Sequence, residues 1–159
     1  MRDAGTTLQN HILTDAEKLE ICSWKYSGDY AVYDLPPYEV MREKQIGFFN
    51  HERELNYRAF CDGDCLVGFV NIKAEETEVF IGIGVKPELC SKGYGQCILR
   101  ETYAISKELY PEKSLYLEVR TWNERAIRCY QKVGFEIVGQ PFEQRTGSGG
   151  GTFYRMIKA

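Results

Sequence analysis

The chain has 159 residues, is 43% hydrophobic and 27% charged, and carries a net charge of −3. That length supports one domain with a full core and no need of disulfide staples. The slight acidity argues against a nucleic-acid binder that works through a basic surface, and no run approaches the ~20 apolar residues of a membrane span.

The opening residues, among them Arg2, Asp3, Gln9 and Asn10, are too polar for a secretory signal, so the expected location is the cytoplasm. In that setting the six cysteines (Cys22, Cys61, Cys65, Cys90, Cys97 and Cys129) read as reduced thiols. His11 and His51 form no ligand pair, so no metal site and no Cys–His catalytic pair is expected. No repeat or linker divides the chain, and residues 1–159 read as a single domain.

Up to His11 the chain reads as a loose end. Thr14-Asp15-Ala16-Glu17 then spells a capping box, and a short helix is predicted through Leu19 to about Cys22. From Trp24 to Tyr38 the chain is aromatic and rich in turn residues, with no sustained period. These rings suit either a core plug or the wall of a ligand pocket. A second helix is predicted from Pro37 through Met41. Leu55–Cys61 and Leu66–Lys73 read as a hairpin around Asp62-Gly63-Asp64, with Cys61 and Cys65 facing each other across it.

The stretch from Val79 to Gln96 organises the rest. Val79, Ile81, Ile83 and Val85 alternate as in a strand, and Pro87 ends the ladder. Gly93 and Gly95 permit a tight turn and close approach of a ligand to the backbone. Ile98, Thr102, Ile105 and Leu109 then mark one helix face. A glycine turn feeding a helix start is an anion site, because the first N–H groups are free and the dipole is positive there. Neither GxGxxG nor a P-loop is spelled.

Downstream, Leu115, Leu117 and Val119 share one strand face, while Tyr116 and Glu118 share the other. Asn123 suits an N-cap. Ala126, Ile127, Tyr130 and Val133 share a helix face, and Gly134 suits the left-handed position that ends it. Gly147–Gly151 reads as a long flexible hairpin tip between strands over Phe135–Gln144 and Thr152–Ile157.

Cys90-Ser91-Lys92-Gly93-Tyr94-Gly95 resembles motif A of the GNAT superfamily of acetyl-CoA-dependent N-acetyltransferases, with Cys90 where the family usually has Gln or Arg. The strand, Asn123, Tyr130 and Gly134-Phe135 resemble motif B, and the likeness runs from about Leu55 to Ile157. The words Leu117-Glu118-Val119-Arg120 look most like the ribosomal-protein and peptide N-terminal acetyltransferases.

The resemblance implies an α/β (α+β) GNAT acyl-CoA N-acyltransferase fold, a mixed, mostly antiparallel, splayed sheet with helices on both faces. It implies acetyl-CoA as co-substrate and a primary amine as acceptor, either a chain terminus or a small molecule. Ile83, Gly84 and Val85 are expected to hold the pantetheine arm by backbone amides. Cys90, Ser91, Lys92, Gly93, Tyr94, Gly95 and Gln96 cradle the pyrophosphate, and Asn123 reaches the pantetheine or the adjacent acceptor. Tyr130 is the general acid for the leaving thiolate, and Glu118 the general base, directly or through water, or else a paired strand glutamate. A monomer or homodimer is expected. Polyamine, amino-acid and aminoglycoside acceptors remain open, as does an acyl-CoA-binding module without catalysis.

Overall fold

In the computed structural model, which describes residues 8–159, the Thr14 capping box forms as spelled. The Glu17 N–H donates to Thr14 Oγ1 at 3.2 Å and the Thr14 N–H to Glu17 Oε1 at 2.9 Å, opening helix α1 (Asp15–Cys22). Helix α2 runs over Tyr38–Lys44 behind Pro37. Three residues expected to be loose, Gln9, Asn10 and His11, instead form with Ile12 an edge strand, β1 (Gln9–Ile12), paired with β2 (Tyr57–Asp62). It is short and largely polar, so no alternation betrays it, and the residues that flank it, Leu8 and Leu13, enter the two cores. The rest of that expectation falls on residues 1–7, outside the described residues.

Strand β2 turns through Gly63-Asp64 into β3 (Cys65–Ala74). Leu55 stays outside the strand in a turn of 3-10 helix. A register shift after Phe60 pairs Cys61 with Leu66 and Asp62 with Cys65, so the two thiols are not the cross-strand partners that symmetry about the turn predicts. Strand β4 (Glu78–Val85) leads through the glycine turn to α3 (Tyr94–Leu109), and β5 (Ser114–Arg120) to α4 (Glu124–Val133). Thr102 and Ser106 continue the buried face of α3, whereas Leu109 has turned to solvent.

Strands β6 (Glu136–Thr146) and β7 (Gly149–Lys158) run further than predicted, and their turn is only residues 147–148. Gly149, Gly150 and Gly151 therefore lie in β7, not in a flexible tip.

The sheet order is β1-β2-β3-β4-β5-β7-β6, antiparallel except for β4 beside β5. One core packs Val70, Ile81, Ile98, Leu117 and Met156 beneath α3 and α4. The other packs Ile21, Trp24, Phe48 and Phe49 beneath α1 and α2. Helices therefore cover both faces, as expected. Among the described residues no helix is long and apolar enough to cross a membrane, and all six cysteines are free thiols.

Candidate active site

The parallel pairing of β4 with β5 ends at Phe80 and Tyr116, and the strands part beyond it. A cavity of about 650 Å³ occupies the gap. Its walls include Phe80, Gly82 and Glu118 from one face of the sheet and Ile83, Leu117 and Val119 from the other, so it runs through the sheet.

The ladder phase decides which amides the gap receives. The Lys86 N–H donates to the Val67 carbonyl of β3 at 2.9 Å. Successive residues of a strand turn their main-chain groups to opposite sides. The Gly84 amide is thus committed to β3, and those of Ile83 and Val85 face the gap. The Tyr26 hydroxyl donates to the Val85 carbonyl at 2.7 Å, which requires that carbonyl to face away from β3. On the other rim, the Thr121 N–H donates to the Thr152 carbonyl of β7 at 2.9 Å. The same alternation then turns the main-chain groups of Glu118 and Arg120 into the gap. Of the three predicted amides, two face the gap. Gly84 has another use, because a Cβ there would strike the Phe69 ring.

At the anion end Ser91 and Gly93 take left-handed conformations, with φ of 65° and 90°. Helix α3 starts at Tyr94 without a side-chain cap, so the positive end of its dipole meets this turn. Gly95 lets α3 approach α4, since a Cβ there would lie 3.1 Å from Cys129 Sγ. Cys90, Ser91, Gly93, Gly95 and Gln96 all reach the cavity wall. The Cys90 thiol turns back to the carbonyls of Val85 and Lys86 at 3.8 and 3.7 Å, and burial pushes its pKa up, so it pins the turn as a neutral thiol.

Two predicted residues point elsewhere. Lys92 is exposed and off the wall, and the Tyr94 hydroxyl donates to Asp62 at 2.9 Å. The cations that α4 brings to the cavity wall are Arg125, whose guanidinium lies 4.0 Å from the centre of the Tyr30 ring, Arg128 and Lys132. Their spacing of three and four, one helix stripe, was the available signal. Gap-facing amides, an uncapped helix start and a cationic stripe fit a diphosphate carrying an amide-bearing arm.

Glu118 lies on the wall and accepts from Gln144 Nε2 at 3.1 Å. Tyr130 reaches the same cavity from α4. Burial, and to a lesser degree Cys129 and Tyr33, push the Tyr130 pKa up against the opposing pull of Arg125, so its proton is retained. Asn123 caps α4 by accepting from the Ala126 N–H at 3.1 Å, and its Nδ2 donates to the Tyr33 hydroxyl at 3.0 Å. The same amide therefore ties the aromatic segment to motif B. That segment divides: Trp24 is buried in the second core, while Tyr26, Tyr30, Tyr33 and Leu35 face the cavity alongside it.

Sequence reasoning missed Asn71, Arg120 and Gln144, which meet here only through sheet register. It also missed a grouping of His11, Glu17 and Cys61, whose ligand atoms lie within 4.8 Å of one another. There Glu17 is already engaged by His11 and the Thr14 amide.

A mixed sheet opened between its parallel strands, with a glycine-turned helix start at the mouth, defines an acyl-coenzyme A N-acyltransferase. The model of the acetyltransferase (GNAT) family matches residues 7–135, and the chain belongs to that family. It is an acetyl-CoA-dependent N-acetyltransferase. An N-alpha-acetyltransferase of Sulfurisphaera tokodaii is 29% identical over 136 residues, covering 82% of this chain and 80% of the relative. The N-alpha-acetyltransferase RimI of Mycobacterium tuberculosis is 37% identical over 83 residues, covering 48% and 49% of the two chains. The crystal structure of a GNAT-family acetyltransferase from Bacillus anthracis superposes with a TM-score of 0.76 at 15% identity, covering 96% of this chain and 95% of that one.

Proposed function

We propose that the acceptor is an α-amine, carried by a chain terminus or a small molecule, in preference to a polyamine or a lysine side chain. The charge of the cavity wall carries this reading. Among the described residues Glu118 is its one carboxylate, and once the coenzyme's phosphates take up the α4 cations Arg120 stands beside it. Such a wall offers a polycation one anchoring carboxylate and sets a like charge next to it. A neutral amine is also needed for attack. An α-amine, with an ordinary pKa of about 7.7–8.0, reaches that state near neutrality far more readily than a lysine at about 10.4. The names of the two relatives, both N-alpha-acetyltransferases, support the same class.

Acetyl-CoA supplies the acetyl thioester. Ile83 and Val85 present their amides to its arm, and Ser91, Gly93, Gly95 and Gln96 cradle its phosphates beside the α4 cations. Glu118, oriented by Gln144, takes a proton from the amine directly or through water. Tyr130, kept protonated by burial, returns one to the departing sulfur. Residues 1–159 act on this reading as one catalytic domain in the cytoplasm, alone or paired with a second copy. The test is thiol release from acetyl-CoA with neutral peptides bearing a free α-amine, the same peptides with a blocked terminus and a free lysine, and spermidine. The free-terminus peptides are expected to turn over at least tenfold faster; equal or greater rates with spermidine overturn the assignment.

A further inference from the structure

The wall assigned above to the acceptor holds a buried cation with no counter-ion among the described residues. Arg120 is only 5% exposed. Its guanidinium donates to the Gly150 carbonyl at 3.2 Å and to Thr146 Oγ1 and Ser148 Oγ at 3.3 Å, and it lies 4.8 Å from the centre of the Phe153 ring. All of these are neutral, and among the described residues no carboxylate forms an ion pair with it. Buried charges are costly unless paired. The fold nonetheless makes room for this one, because a Cβ on Gly151 would strike its Nη1.

A second orphan lies on the same face. Asn71 Oδ1 is buried in the wall with no hydrogen-bond partner. The cross-strand register pairs Asn71 with Gly82 and Phe80 with Tyr116, which puts Asn71, Glu118 and Arg120 on one side of the sheet. Two acceptors and an arginine therefore share one face, with Arg120 two residues beyond Glu118 on β5. Its guanidinium extends over Gly151 towards the β6–β7 turn, so an amine held at the acceptors and an anion held at the guanidinium belong to one small molecule or one terminal residue.

Building on the α-amine reading, we propose that the acceptor carries a carboxylate close to its reacting amine. The amine sits between Glu118 and Asn71, and the carboxylate docks on Arg120. The carboxylate has two possible sources: the α-carboxylate of a free amino acid, or the side chain of an acidic first residue in a longer chain. In the second case the acceptor begins with Asp or Glu.

The test measures kcat/KM by thiol release for four acceptors: free aspartate, a C-terminally amidated peptide beginning with Asp, its isosteric partner beginning with Asn, and free asparagine. A side-chain source predicts that the Asp peptide exceeds the Asn peptide by at least tenfold. An α-carboxylate source predicts that both free amino acids exceed the Asn peptide by that factor. Arg120→Gln is expected to bring the favoured ratio towards one, with acetyl-CoA binding by calorimetry confirming an intact fold. Because Arg120 also holds the β6–β7 turn, Ser148→Asp serves as the second variant. It supplies a carboxylate from within the chain and should compress the same ratio. Equal rates for all four acceptors in the native chain overturn the carboxylate subsite while leaving the α-amine reading standing. Turnover of none of them overturns both.

Discussion

If the splay exists to offer main-chain donors, acetyl-CoA binding must protect some β4 amides and leave their neighbours alone. The ladder phase says which. The Gly84 amide pairs with β3 in the free protein, so the ligand adds nothing to it. The amides of Ile83 and Val85 face the cavity and exchange without any opening of the β3–β4 ladder. Once a ligand accepts from them, exchange requires its departure. At a free concentration of 100 times Kd this slows them about 100-fold, or about 2.7 kcal/mol. Residue-resolved amide exchange with and without acetyl-CoA reads this directly. The expected result is alternation: large slowing at Ile83 and Val85, little change at Gly84. Uniform slowing across all three, or full protection of Ile83 and Val85 without ligand, would refute the argument from ladder phase.

Tyr130→Phe removes a buried hydroxyl without changing the ring's packing. It should lower kcat about 10²–10⁴-fold while acetyl-CoA affinity by calorimetry stays within threefold; a kcat within threefold of native removes Tyr130 from proton transfer. Glu118→Gln should lower kcat/KM to a similar degree with acetyl-CoA affinity unchanged, whereas a kcat/KM within threefold of native assigns Glu118 to pairing with Gln144 alone. Asn123→Ala loses the α4 cap, worth about 1 kcal/mol, and should lower Tm by about 2–4 °C, as calorimetry can show. For pH, burial raises the pKa of Tyr26, Tyr57 and Tyr130 above that of an ordinary phenol. Groups with a raised folded pKa contribute stability in full below the unfolded value near 10 and lose it as pH rises towards the folded one. Burial raises the thiols of Cys22, Cys90 and Cys129 in the same way from a lower unfolded value, so denaturant midpoints should begin to fall near pH 9 and fall further above about 10; a flat profile from about pH 8 to 11 contradicts this.

Local chemistry was legible in the sequence, and register was not. Thr14, Asn123 and Gly134 each announce a helix boundary through a hydrogen bond or a backbone conformation confined to a few residues, and each stands where predicted. The alternation in β4 and β5 is visible because one side of each strand is buried under α3 and α4. What escaped depends on distant pairings. β1 is a polar edge strand whose only signature is the partner it lies beside. The glycines of β7 look like a flexible linker when read alone. They are strand residues, and at Gly151 the Arg120 guanidinium passes where a side chain would stand. Arg120 itself was quoted only as part of a family word, and its burial follows from its pairing opposite Phe153.

The site's polarity follows from the same topology. A parallel pair inside an otherwise antiparallel sheet pairs at only three positions, and each strand keeps a full ladder on its outer side, β4 with β3 and β5 with β7. The strands can part without unravelling, because each remains anchored in a separate half of the sheet. Parting leaves donors and acceptors on both rims, and such groups, when buried unpaired, cost about 1–3 kcal/mol each. A ligand that satisfies them recovers that cost, which favours an extended amide-bearing arm over a compact apolar one. The aromatic segment then closes the acceptor side, tied to one rim by Tyr26 on Val85 and to α4 by Tyr33 on Asn123. These two bonds, from residues seven apart in the chain, fix the aromatic wall relative to both strands, so acceptor specificity is built on the same opening that holds the coenzyme.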